Sequence, residues 1–244
     1  MKYLISFCFL SLAFFVAGSI HSCRKDSMDG GYYPPPQPPP LPSAAPITTS
    51  YTEEFEDFST LAAKGWLMNE YSQADTMGTT GWTGGDFGAV GKGDTVFYGF
   101  TAFSYKLYYT EYAYSYAPSF DSALSISAWM LSPVLTVKNG DSISFYTRGD
   151  TTGNYTNRMQ VLMDTLGSVN VGHELNSVGN YNSTLFDINP TQAAGGYPIT
   201  WKKYEYTFSG FSGSKNIRIG FRHYLIHPSN ARGIGIDLFK FAVL

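Results

Sequence analysis

The sequence predicts an all-β fold, a two-sheet antiparallel jelly-roll sandwich, and three observations carry that expectation. Aromatic residues make up 17% of the 244 positions, with 19 Tyr and 18 Phe beside 25 Gly, a mixture that suits pleated strands and turns better than helices. Apolar and polar residues alternate in many short runs, and no segment keeps a helical period over three turns. Clusters of Gly, Pro, Asn, Asp and Ser punctuate those runs, as in sandwiches and barrels.

Taken in order, the chain opens with Met1-Lys2 and the apolar run Tyr3–Ala17, a positive start before a hydrophobic core too short to span a bilayer comfortably, which is the form of a secretory signal. Ile20-His21-Ser22-Cys23 follows and resembles a bacterial lipoprotein lipobox, which implies cleavage after Ser22 and acylation of Cys23. Of the two cysteines, Cys8 falls in the leader, so Cys23 is the one thiol left and no internal disulfide forms. Ordinary cleavage near Ala17–Ser22, with Cys23 a free thiol, is the alternative. Cys23-Arg24-Lys25-Asp26 resembles the lysine-plus-acid export signal of surface lipoproteins in the Bacteroidota and leaves both the outer surface and the periplasmic face open. Residues 23–48, with Pro34-Pro35-Pro36-Gln37-Pro38-Pro39-Pro40 at their centre, cannot build a core. They read as an extended polyproline linker rising roughly 3 Å per residue, on the order of 50 Å in reach. The organisation expected is a signal peptide over 1–22, the linker over 23–48 and one folded domain over 49–244.

Within that domain Tyr51–Phe58 reads as the first strand, Gly65-Trp66 follows a short connection, and Gly78–Gly93 reads as glycine-rich loop around Trp82. Phe97–Tyr116 is dense in aromatics: Phe97, Tyr98, Phe100, Phe103, Tyr105, Tyr108, Tyr109, Tyr112, Tyr114 and Tyr116. Ser127–Gly149 holds a short apolar strand with Trp129, a stop at Pro133 and the tight turn Lys138-Asn139-Gly140-Asp141. A second strand follows, with Ile143, Phe145 and Thr147 on one face; together these read as a hairpin. Arg158–Asp164 places Met159, Val161 and Met163 on one face, and Gly167–Pro198 reads as long loops with one or two strands. Trp201–Phe208 and Ile217–His223 alternate cleanly. Gly233–Leu244 runs Ile234, Ile236, Leu238 and then shifts phase to Phe239, Phe241, Val243, which predicts a bulge near Leu238.

Several chemistries find no support in these residues. Charged residues are 14% of the chain and the net charge is −3, becoming −4 when Lys2 leaves with the leader, so there is no basic stripe for nucleic acid. Ser209-Gly210-Phe211-Ser212-Gly213 lacks the first glycine of a nucleophile elbow, and His173-Glu174 is not completed by a second histidine at Ser177. His223 reads as a sheet residue. No pair of acids is singled out for glycoside cleavage, although a sandwich has room for one.

Phe55-Glu56, Gly65-Trp66, Trp129-Met130-Leu131-Ser132-Pro133, Trp201, Ile217-Arg218-Ile219-Gly220-Phe221-Arg222-His223 and Ile234-Gly235-Ile236-Asp237 resemble, in that order, the choice-of-anchor J and cleaved-adhesin group of MAM-like jelly rolls. The resemblance spans Tyr51 to Leu244. It implies a sandwich with adhesive or carbohydrate-associated roles, a structural calcium in some members and no catalytic centre. Leu238 stands where such domains usually carry a second acid.

Three sets of residues are therefore candidates. Cys23 is the lipidation site. Tyr112, Tyr114 and Tyr116 share one strand face and form either a stacking platform for a ligand or sandwich core. Glu54, Glu56 and Asp237 come together if the first and last strands are neighbours, either around calcium or facing solvent or pairing with Arg218 or Arg222. Six Asp-Ser/Thr triplets, among them Asp75-Thr76-Met77 and Asp164-Thr165-Leu166, resemble the O-glycosylation acceptor of the Bacteroidota, with chance as the alternative. The function these features favour is a lipid-anchored, non-catalytic module of the cell envelope, at the outer membrane, that recognises a glycan or a surface protein. A structural envelope component and a glycan hydrolase are the alternatives.

Overall fold

The structure, a computed structural model, describes residues 44–73, 81–86, 100–103, 111–117, 125–150, 154–227 and 230–244. Cys23, the leader, most of the linker, five aromatics of the Phe97–Tyr116 segment (Phe97, Tyr98, Tyr105, Tyr108 and Tyr109) and the triplet at Asp75 lie outside the described residues.

Two six-stranded antiparallel sheets form the sandwich expected from the sequence. The front sheet runs β10 (Lys202–Thr207), β7 (Ser142–Gly149), β12 (Gly233–Ala242), β4 (Glu111–Tyr116) and β3 (Gly81–Asp86), with β1 (Tyr51–Glu53) on the second half of β12. The back sheet runs β2 (Leu67–Glu70), β5 (Ile126–Leu131), β11 (Lys215–Leu225), β8 (Met159–Asp164) and β9 (Ser183–Ile188), with β6 (Leu135–Val137) beside the start of β11. The only helical element among the described residues is a three-residue 3-10 turn, Phe58–Thr60, capped by Asp57.

Several local expectations change. Asn139-Gly140 does form a turn, with Gly140 at φ +94°, but β6 belongs to the back sheet and β7 to the front. The turn is an arch between layers and not a hairpin, because each arm finds its hydrogen-bond partners in a different sheet. Gly81–Asp86, expected as loop, is a strand. Tyr51–Phe58 is extended only to Glu53, since Phe55 turns to φ 56° and the 3-10 turn follows. Ahead of the expected boundary at 49, Ile47 bridges Leu135 in parallel. The predicted bulge is present: the pairing of β12 with β7 shifts between Asp237 and Lys240, with Leu238 at φ 50°. That extra residue lets Ile234 and Ile236 before it, and Phe239 and Phe241 after it, all point inward.

Trp66 is the centre of the main core. It is fully buried, meets Phe55 edge-on at 5.2 Å and Phe239 edge-on at 5.4 Å, and lies over Phe221 at 6.4 Å. Its indole N–H donates to the Tyr51 hydroxyl at 3.2 Å, which answers the one polar group that so large a buried ring carries.

Each sheet also has a covered outer face. On the back sheet Trp129, Leu131 and Leu162 are buried beneath Val171 and Tyr181 of the loop after β8. Gly220 has no side chain where Trp129 and Tyr181 close in, a Cβ there lying 3.0 Å from each ring. Two arginines fasten this side. Arg218 donates to the carbonyls of Gly65, Ser132 and Gly167, and Arg222 to Ser127 Oγ, Gln160 Oε1 and the Leu175 carbonyl. Burial lowers the Arg222 pKa to about 10, and its guanidinium lies between the rings of Trp129 and Tyr224.

Candidate functional site

On the front sheet the outward positions across the strands are Gly85, Tyr112 and Tyr114, then Gly233, Gly235 and Asp237, then Tyr146 and Arg148. A strap, residues 100–103, crosses this face. Its Phe100 ring stacks on Tyr112 at 4.7 Å and 21° and meets Tyr114 edge-on at 6.0 Å. Glycines make the fit: a Cβ on Gly235 would stand 2.7 Å from Phe100 and 2.8 Å from Tyr112, and one on Gly85 2.7 Å from Tyr112. The rings therefore lie directly on backbone.

Asp237 and Trp201 hold the strap from below and from the side. Asp237 is wholly buried and accepts the Phe103 N–H at 2.8 Å and the Leu238 N–H at 2.7 Å. The Trp201 indole N–H donates to the Thr101 carbonyl at 2.9 Å. Held in this way, Phe103 stacks on Tyr146 at 3.7 Å and 16° and remains 40% exposed. Trp201, half-buried, stands 6.4 Å from Phe103. Beside them Arg148 lies over Phe100 at 4.4 Å, and Lys203 and Glu205 of β10 pair on the surface.

The three tyrosines expected to share a face do so, on the outer side of β4. Tyr112 and Tyr114 are fully buried beneath the strap, however, and Tyr116 is half-buried. Burial drives the Tyr114 phenol pKa up. The solvent-facing aromatics here are Phe103, Tyr146 and Trp201 instead. The sequence carried a signal for Tyr146 and Arg148, which fall on the opposite phase of β7 from Ile143, Phe145 and Thr147. It also singled out Phe100 and Phe103 within the aromatic segment Phe97–Tyr116, but not that they form a strap lying on this face.

The first and last strands are neighbours, Tyr51 pairing with Phe241 and Glu53 with Phe239. That pairing does not assemble Glu54, Glu56 and Asp237 into a ligand set. Asp237 is closed off under the strap, and Glu54 and Glu56 line an open notch with Glu53, Asp57 and Lys64. Among the described residues no three acids, histidines or cysteines are grouped to hold a metal ion. Glu53 is occupied by the Tyr51 hydroxyl at 2.6 Å and Lys64 Nζ at 3.0 Å.

No protein-family model matches the chain, and no curated protein does. Among solved structures, the K1 cleaved adhesin domain of Lys-gingipain from Porphyromonas gingivalis aligns with a TM-score of 0.47 and 18% identity over 80% of this chain and 99% of that one. The K2 cleaved adhesin domain of Lys-gingipain aligns at 0.44 and 15%, over 80% and 100%. TmCBM61, solved in complex with β-1,4-galactotriose, aligns at 0.38 and 12%, over 75% and 92%.

Proposed function

We propose that the folded domain is a non-catalytic glycan-binding module, held at the cell envelope by acylated Cys23 through the proline-rich linker. The observation that carries this reading is the aromatic group on the front face, exposed Phe103 with half-buried Tyr146 and Trp201. Sugar rings present flat C–H faces that pack on aromatic faces, and a Tyr or Trp adds a polar tip at low rotamer cost. Phe103 and Tyr146 are already fixed, one by a buried carboxylate and the other by strands on both sides, so little ordering opposes binding. The acids around them are committed elsewhere: Asp237 to backbone amides, Glu205 to Lys203 and Asp150 to Arg232. This favours binding over acid/base cleavage.

A polysaccharide panel tests the reading. Phe103→Ala and Tyr146→Ala should each weaken binding to the best glycan about tenfold, near 1.4 kcal/mol, with little change in melting temperature. Capture of a surface protein with no polysaccharide bound replaces the glycan reading with a protein partner. Cys23→Ala should move the protein from the membrane to the soluble fraction, because diacylation gives firm anchoring; retention on the membrane removes the anchor.

A further inference from the structure

Among the described residues Arg148 is held by fewer hydrogen bonds than Arg158, Arg218 or Arg222. Arg218 and Arg222 each close on carbonyls or side-chain oxygens, and Arg158 forms a two-pronged pair with Asp187 at 2.8 and 2.6 Å. Arg148 makes one long contact, Nε to the Gly149 carbonyl at 3.4 Å, and among the described residues neither Nη has a hydrogen-bond partner. The guanidinium nevertheless has a fixed place. Gly235 stands opposite it in β12, Phe100 settles on that glycine, and Arg148 lies over the Phe100 face not taken by Tyr112. Stacking on a ring leaves the edge of a guanidinium, with its forked donors, directed away from the ring.

The nearby Asp150 carboxylate favours its cation but does not outweigh burial. Asp150 is engaged by Arg232 at 3.2 Å, and Glu205 by Lys203. Partial burial disfavours the Arg148 cation and lowers its pKa, a cost that an anion brought by a ligand offsets. Trp201, directly before the Lys202 that pairs with Thr147, sits across from Arg148 at the end of the aromatic group. A fixed, partly desolvated guanidinium beside part-exposed aromatics matches a sugar ring that carries a carboxylate or a sulfate.

We propose that the glycan bound on this face is anionic, and that Arg148 pairs with its acidic group. This rests on the glycan reading above. The whole chain in detergent is titrated with matched polymers: polygalacturonate against its carboxyl-reduced form, and dextran sulfate against dextran. At low ionic strength the acidic member of one pair should bind at least about tenfold more tightly than its neutral partner, near 1.4 kcal/mol. The pair that shows the preference tells uronate from sulfate. Arg148→Gln should bring the two members to parity. Arg148→Lys, which keeps the charge without the flat fork, should keep part of the preference. Should Arg148→Gln fail to fold, the preference of the unaltered chain should still shrink as salt rises. Equal binding of acidic and neutral polymers overturns the charge assignment and leaves the glycan reading standing. An undiminished preference in folded Arg148→Gln overturns the role of Arg148. Binding of no polymer overturns both.

Discussion

His223 is buried at the centre of the sandwich, on β11 of the back sheet, and its Nδ1 reaches Ser115 Oγ of β4 in the front sheet at 2.9 Å. Among the described residues its Nε2 has no hydrogen-bond partner, and burial pushes its pKa down to about 3. An unfolded chain takes up that proton near pH 6.5 and the folded one does not until about pH 3. Stability is therefore complete above pH 6.5 and falls with pH below it, at about 1.4 kcal/mol per unit for this group. Urea unfolding from pH 7 to pH 4 should show a loss of about 3 kcal/mol that His223→Gln lacks, the difference between the two proteins isolating this proton from the carboxylates. Alternation on β11 made His223 legible as a sheet residue, but periodicity does not say that a histidine is sealed between layers. The tyrosines of β4 make the same point. Their shared face is visible in the sequence, whereas their burial depends on the strap, whose Phe100 lies twelve positions before Tyr112. Tyr112→Ala and Tyr114→Ala should each cost about 3 kcal/mol or more in thermal or urea unfolding, with Trp201→Ala nearer 1 kcal/mol.

The elements most faithfully announced by the sequence are those with one clean period: β7, β8, β10 and β11. Where the sequence misled, partner choice lay outside the segment. Asn139-Gly140 specifies a turn by local chemistry, yet whether its arms pair with each other is decided by β11 and β12, which compete for them. The strand β3, Gly-Trp-Thr-Gly-Gly-Asp, has weak intrinsic preference for extension, and one of its glycines, Gly85, leaves room for the Tyr112 ring of β4 that presses on it. Gly235→Ala tests the same packing on β12: the new methyl collides with Phe100 and Tyr112 and should cost about 1–3 kcal/mol while dislodging the strap. Weaker glycan binding in that variant, with Phe103 untouched, would show that the strap positions the site. On the back sheet Arg218→Met should cost about 2–4 kcal/mol, because it strands the carbonyls of Gly65, Ser132 and Gly167 together.

At the scale of the molecule, the middle strands β4 and β5 are covered on two faces, the inner by the shared core and the outer by the strap or the loop after β8. This is why β5 is buried along its whole length and reads as an apolar run from Ala128 to Leu131 with no alternation. It also bears on metal dependence. The Glu54, Glu56 and Asp237 carboxylates are not gathered, so a chelator should leave the melting midpoint where it is; a fall of several degrees would place an ion elsewhere in the domain. One feature at the edge of the fold acts on the scale of the whole. Ile47 is bonded to β6 of the back sheet, through its N–H to Val134 O at 2.8 Å and its carbonyl from Thr136 N at 2.9 Å. Four residues later Tyr51 enters the front sheet beside β12, and the Val243 N–H donates to Ser50 Oγ at 3.1 Å. The incoming chain thus stitches one layer to the other before the fold begins. A pull applied to the chain ahead of Ile47 would reach both sheets through that seam, so the two layers would share the load.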